Sequence, residues 1–276
     1  MRISSRQLTD ASQQSMMKSS VETSGWQQRI SSGQRYEKAS QNSAASGRSV
    51  ELATRQSRIE YFKGNQTAVE NSMSEIDSQI TGVRNALATM TEIGVQARNG
   101  TMGASGLSAL SQRADQTVEL IKSLSGASNA AGLPMFADEG ITLEIEPGFK
   151  LPINMTRTAV FGEGEKGNEA VLAACDSLAA TLAKGETPTL EQMTALSTAA
   201  DTVMSAQVKS GLVLGQIDSS RAVMVANTDA VSSERSALLD TDVLEASTQL
   251  ASSQTQLEAA RNIFTRLSQT GLFNKL

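Results

Sequence analysis

From Ile59 to Ala97 the chain repeats on alternating steps of three and four without a slip. The series runs Ile59, Phe62, Gln66, Val69, Met73, Ile76, Ile80, Val83, Leu87, Met90, Gly94 and Ala97. This spacing holds one stripe on one side of an α-helix for roughly 57 Å, whereas a strand would throw successive residues to opposite faces. A stripe of that length must be covered by another helix. The 4 prolines, at 134, 147, 152 and 188, all lie in the middle of the chain. An interior proline costs a helix about 3 kcal/mol. The outer segments are therefore free to form long helices, and the middle is where the chain turns.

The last segment, Thr241 to Leu276, carries a narrower a/d stripe: Val243, Ala246, Leu250, Ser253, Leu257, Ala260, Phe264, Leu267 and Gly271. Asp242 followed by Glu245 reads as a capped helix start. Its flanks are Ser, Thr, Gln and Ala, and its natural cover is the chain's own beginning. Residues 4 to 32 show a weak Ser-rich helical pattern through Leu8, Ala11, Ser15, Val21, Trp26 and Ile30, broken by Ser31-Ser32-Gly33. That segment is expected to order only when something packs on it.

Asn99-Gly100 ends the long helix, with Gly100 suited to a left-handed cap. A second helix, 105 to 128, follows as an antiparallel partner through Leu107, Leu110, Ala114, Thr117, Ile121 and Leu124. Ile141 to Ile145 and Leu151 to Met155 alternate as strands around Pro147-Gly148, with residues 158 to 161 as a further strand. A helix over 168 to 183 carries Val171, Leu172, Cys175, Leu178 and Leu182. Heptads then resume to Leu239 through Met193, Leu196, Ala200, Val203, Gln207, Leu214, Ile217, Met224 and Val231. The expected fold is mainly α: an elongated antiparallel helical bundle or coiled coil formed by both termini, with a small β-hairpin insertion. The expected division is 1–42 with 241–276, 43–134 with 189–240, and an insertion at 135–188.

Composition narrows the function. Aromatics make up 3% of the residues, too few for an ordinary globular core and in keeping with aliphatic helix seams. A net charge of −5 argues against nucleic-acid binding. No run of about 20 apolar residues exists to insert in a membrane. The N-terminus lacks an apolar signal core, so Sec export is not expected. One cysteine rules out an intramolecular disulfide, and the lack of histidine removes the commonest general base and metal ligand.

The catalytic motifs fail on inspection. Gly162 to Gly167 fits G-x-G-x-x-G, but helix heptads follow it where a second strand should be, and Glu163 and Glu165 would repel a pyrophosphate. Ser15-Met-Met-Lys18 fits S-x-x-K without its companion motifs. Cys175 lies on an apolar helix face, as a small core residue does. Asn65, Asn99 and Asn154 open N-x-S/T triplets, which carry little weight without a secretory signal. No catalytic residue, cofactor or metal is expected. Polar, nearly uncharged flanks around a terminal stripe suit a helix surrounded by protein, because charges there would be costly to bury.

The ends carry a resemblance. Met1-Arg-Ile-Ser4, Ile30-Ser-Ser-Gly-Gln-Arg35, Asp240-Thr-Asp-Val-Leu-Glu-Ala246 through Gln254, and Ala259 to Leu276 resemble the terminal regions of the flagellin family. The likeness extends over roughly the first 135 and the last 90 residues, helical phasing included. Asn99-Gly100-Thr101, Leu133-Pro-Met-Phe136 and Gly211-Leu-Val-Leu-Gly215 resemble the branch that sits between hook and filament. Gln41-Asn42 stands where many members carry an acidic pair.

The resemblance implies an axial structural component that leaves the cell unfolded through the flagellar type III channel. It implies a cytosolic export chaperone on the C-terminal helix. It also implies a ring of copies between the first hook-associated protein and flagellin. Leu8, Trp26 and Ile30 from the front, with Val243, Leu250, Leu257, Phe264 and Leu267 from the back, are the expected assembly residues. The alternatives are a small filament-forming flagellin and, from another class, a secreted membrane-active translocator.

Overall fold

The computed structural model describes residues 2–99, 103–129, 132–163 and 169–273, apart from the side chains at 2–6, 8–9 and 267–273. Its elements run α1 (Arg2–Ser32), α2 (Ser43–Arg98), α3 (Ala104–Ser125), β1 (Phe136–Ala137), β2 (Thr142–Glu146), β3 (Phe149–Pro152), β4 (Met155–Thr156), α4 (Arg157–Phe161), α5 (Ala170–Ala183), α6 (Leu190–Leu239) and α7 (Val243–Phe273). Two compact units result: Met1–Ser57 with Thr228–Leu276, and Arg58–Asn227. The fold is mainly α with small strands in the middle.

In the Arg58–Asn227 unit the α2 series is buried throughout, with Val69, Met73, Ile76, Ile80, Val83 and Met90 wholly so. Arg84 reaches Gln207, Gln207 reaches Thr81, and Arg221 reaches Glu70. Rising numbers on α2 meet falling numbers on α6, so the two helices are antiparallel. Arg221 clasps both carboxylate oxygens of Glu70, and this hydrogen bonding holds that carboxyl below its usual range. α3 returns along α2, bringing Leu124 against Gly82 and Arg113 to Glu92.

The buried edge of α6 is Leu196, Ala199, Val203, Ala206, Ser210, Ile217, Ser220 and Met224. Ala200, Gln207 and Leu214 were expected in that edge but flank it, half-buried. Ala199, Ala206, Ser210 and Ser220 hold half of these positions, and helices approach closely where side chains are small.

Gln66 is a polar residue in the seam. Its Nε2 donates to the Ile145 carbonyl at 3.3 Å and to Ser220 Oγ at 2.7 Å, and Ser220 in turn donates to Glu146. Asn65 donates to the Glu144 carbonyl at 2.7 Å and Ser72 to that of Ile153 at 2.7 Å. The hairpin is thus pinned to α2 by side chains. β2 and β3 pair antiparallel around Pro147-Gly148, where Gly148 takes φ 79°. β2 keeps the expected length one residue further on, β3 is one residue shorter and starts two residues earlier, and Met155 lies outside β3 and pairs in parallel with Phe136. Residues 158 to 161 are not a strand but belong to α4. Val160 and Phe161 are buried there, and Phe161 meets Phe136 edge to face at 5.2 Å. The cap expected at Gly100 lies outside the described residues.

Cys175 is fully buried on α5, and burial pushes its thiol from 9.0 up to about 12. A raised folded pKa means its contribution is intact below pH 9. Above that, stability falls by about 1.4 kcal/mol per pH unit until about 12, because only the unfolded chain ionises. Cys175→Ala is expected to flatten this share of the alkaline decline, measured by urea titrations from pH 8 to 11. The native thiol should also resist labelling until the unit opens.

Candidate assembly interface

The Met1–Ser57 and Thr228–Leu276 unit is built on α1 packed along α7. The pair is closed at one end by an antiparallel bridge. Arg35 N–H donates to the Leu239 carbonyl at 2.7 Å, and Thr241 N–H donates to that of Gly33 at 2.8 Å. Gly33 adopts φ 69°, a left-handed conformation that glycine takes without strain, and this lets the chain leave α1 sharply. α7 then starts where the sequence places it. Asp242 Oδ1 accepts the N–H groups of Leu244 at 2.9 Å and Glu245 at 3.1 Å.

On α2 the cap is Asn42, whose Oδ1 accepts the Ala45 N–H at 2.9 Å, while Gln41 Oε1 accepts that of Glu37 at 2.8 Å. Gln41-Asn42 therefore makes defined loop contacts of its own. Asn42→Ala is expected to cost about 1 kcal/mol, read from the urea midpoint of this unit's transition. Arg48 ties α2 to α6 through Glu234 at 2.7 Å.

The α7 seam is Ala246, Ser253 and Ala260, buried, alternating with Leu250, Leu257 and Phe264, half-buried. The α1 seam is Ser12, Met16, Ser19, Thr23, Trp26 and Ile30. Ala11, Ser15 and Val21, expected on the covered side, are exposed. Hydropathy misplaced the phase because the deepest α1 positions are Ser19 and Thr23. Thr23 donates to the Ser19 carbonyl and Ser253 to that of Gln249, both at 2.8 Å. The buried hydroxyls are thus satisfied within their own helices, and a small polar seam carries no desolvation penalty.

Of the expected assembly residues, Trp26, Ile30, Leu250, Leu257 and Phe264 lie in this intramolecular seam. Val243 faces out, and the side chains of Leu8 and Leu267 lie outside the described residues. Besides Val21, the outward surfaces of the pair carry apolar residues that the stripes did not include: Met17, Leu244 and Ile263, with Leu244 80% exposed. Their signal was an apolar residue out of phase with the seam. Trp26 stacks under the Arg29 guanidinium at 4.6 Å. This pair borders a cleft of about 540 Å³ shared with Glu37, Gln249 and Gln256, and a second of about 530 Å³ shared with Asp240, Asp242 and Glu245.

Gly164 to Gly167 lie outside the described residues, and what precedes Gly162 is helix α4 rather than a strand. Asn154 is buried, accepting from the Ile141 N–H and donating to the Glu139 carbonyl, so no glycan could reach it. Among the described residues there is no acidic or cysteine cluster able to hold a metal ion, and no helix long and apolar enough to cross a membrane. A cleft of about 780 Å³ between α5 and α6 is walled mainly by alanine, serine and threonine.

Residues 3–140 match the bacterial flagellin N-terminal helical region. No curated protein matches the sequence. Solved structures share the fold. One, from Vibrio parahaemolyticus and assigned to the flagellar hook-associated proteins, is 16% identical, with a TM-score of 0.55 over 73% of this chain and 97% of that one. FlgL from Bacillus cereus is 12% identical, with a TM-score of 0.57 over 67% of this chain and 99% of its own. FlgL from Xanthomonas campestris is 12% identical, with a TM-score of 0.55 over 66% and 98%.

Proposed function

The chain belongs to the bacterial flagellin family, and on that premise we propose that it is a hook-associated component of the flagellum, the junction between hook and filament. The family is structural rather than enzymatic. The junction role is supported by a fold shared with two FlgL proteins along nearly their whole solved lengths. The observation that carries self-assembly is the apolar outer surface of the α1–α7 pair. Leu244, Val243, Ile263, Met17 and Val21 all stand outside on this one helix pair, which suits a surface that further protein covers.

The terminal helices pass the type III export channel unfolded, pair only marginally as α1 and α7 in the dilute chain, and become rigid on the growing structure. A cytosolic chaperone masks α7 beforehand. Ordering costs roughly 1–2 kcal/mol per residue in backbone entropy, which burial between copies must exceed. Contacts run heterologously, head to tail, so a ring grows instead of a closed dimer. Its neighbours are the first hook-associated protein on one side and flagellin on the other, at the extracellular base of the filament.

Deleting the gene and viewing the cells tests this reading: hooks without filaments, and flagellin shed into the medium, are expected. Normal filaments in the deletion strain would overturn it. The matched N-terminal region equally suits a small filament flagellin. Purified protein that polymerises alone into long filaments would favour that second reading.

A further inference from the structure

Within the Arg58–Asn227 unit, the hairpin region, α2 and α6 enclose a small pocket of about 220 Å³. Met73, Pro152, Met155 and Val213 wall it, and Lys209 and Ser210 line it from α6. Met73 and Ser210 are wholly buried and Met155 nearly so. The walls are fixed by bonds of their own. Ser72 holds the Ile153 carbonyl at 2.7 Å, while Asn154 accepts the Ile141 N–H at 2.6 Å and donates to the Glu139 carbonyl at 3.0 Å. A fixed space with apolar walls suits water poorly, because water finds few partners there, and it suits a hydrocarbon group well.

Two α6 side chains give this pocket a polar end. Lys209 is exposed, and no acid among the described residues pairs with it, whereas Lys122 reaches both Glu119 and Asp176. The Ser210 hydroxyl donates to the Met73 carbonyl at 3.5 Å, the outer limit of a hydrogen bond. A buried hydroxyl held so weakly can turn to a better acceptor. Between Asp201 and Asp218 α6 carries no acid, so nothing on that stretch repels an anion.

Size and wall chemistry narrow the occupant. At an interior packing density of about 0.74 the space takes about 160 Å³ of ligand atoms, one six-membered ring with a short chain. Two methionine thioethers in the walls favour an aromatic ring over an aliphatic body. A cation at the rim and a free donor inside select a carboxylate. We propose that this pocket binds a small aromatic monocarboxylate, its ring among Met73, Pro152, Met155 and Val213 and its carboxylate on Lys209 and the Ser210 hydroxyl. The proposal goes beyond the flagellar reading and does not depend on it, since every residue involved lies within one unit of one chain.

The probe is 3-phenylpropionate, titrated into the full-length chain with its methionine methyl groups labelled for NMR. The Met73 and Met155 methyl signals should shift saturably, with a Kd of about 0.1–1 mM. Lys209→Gln should weaken binding at least about tenfold by removing the charge. Val213→Phe, which fills the pocket, should abolish it. Acetate, which has the charge without the ring, and 3-phenylpropanol, which has the ring without the charge, should each bind at least about tenfold more weakly. Both variants should melt close to wild type, because Lys209 is exposed and Val213 half-buried.

Should Val213→Phe fail to fold, Gly140→Leu takes its place. Gly140 is exposed at the pocket's rim, and a Cβ there meets the Thr156 methyl at an ordinary 3.9 Å, so leucine would cover the mouth. The absence of a saturable shift at Met73 and Met155 up to about 20 mM probe would overturn the inference. So would equal affinity for 3-phenylpropanol, or an unchanged Kd in both the charge-removing and the pocket-blocking variant. The flagellar reading is decided separately, by the deletion strain.

Discussion

Replacing Ile80 with aspartate is expected to unfold the Arg58–Asn227 unit at room temperature. Ile80 is wholly buried in the α2 seam, between Ile76 and Val83 on the same stripe. Losing the side chain costs about 2–5 kcal/mol by itself. An unpaired carboxylate in that setting adds several kcal/mol more, even after its pKa rises to neutralise it. A domain's whole stability is only about 5–15 kcal/mol. Ile80→Val, which removes one methylene and no polarity, should cost about 0.5–1.5 kcal/mol and so separates volume from charge. Circular dichroism and Cys175 labelling give the readout. An aspartate variant melting within a few degrees of wild type would mean that the seam is wetter than its burial states.

Removing residues 243–276 is expected to erase more helix than it deletes. α7 contributes 31 helical residues, and α1 another 31 that pack along it. α1 is rich in serine, and its buried positions among the described residues are Ser19 and Thr23. Such a helix gains little from its own sequence and depends on the surface it covers. Loss of α7 should therefore melt α1 as well, roughly doubling the fall in ellipticity at 222 nm. Amide exchange in α1 should rise to that of an unfolded peptide. Cys175 should remain protected, since its core is drawn from residues 69 to 217. In cells the truncated chain should not restore swimming. Retained exchange protection across α1 would show that it folds without its partner.

These expectations rest on features the sequence exposes unequally. The α2 stripe was legible because each seam position is apolar or, at Gln66 and Gly94, fits an unbroken 3-4 count. Asp242 was legible as a cap because its carboxylate has one use two residues before a helix's first free N–H groups. The α1 seam was legible only at Trp26 and Ile30, and the α6 seam at Leu196, Val203, Ile217, Met224 and Val231 but not between them, for one physical reason. Where two helices lie close, buried positions also go to Ser19, Thr23, Ala199, Ala206 and Ser210, which a hydropathy count passes over in favour of Val21 or Leu214. Residues 158 to 161 read as a strand from a β-branched, aromatic run. The Phe136–Phe161 contact draws that run into a helical turn instead. The outward residues Met17, Leu244 and Ile263 were visible only once the seam phase was known.

The two sets of helices differ in what resists a shift along their length. α2 and α6 are stitched by side chains crossing between them, Gln66 to Ser220 and Arg221 to Glu70, so a slide of one turn would tear several bonds at once. In the α1–α7 seam the buried hydroxyls Thr23 and Ser253 are bonded to their own helices. Displacing that pair by a heptad would exchange one alanine-or-serine contact for another and strand neither of these donors. One pair is locked along its length, the other only at the backbone bridge that joins Arg35 to Leu239 and Thr241 to Gly33. Axial strain should therefore be taken up first in the terminal helices beyond that bridge.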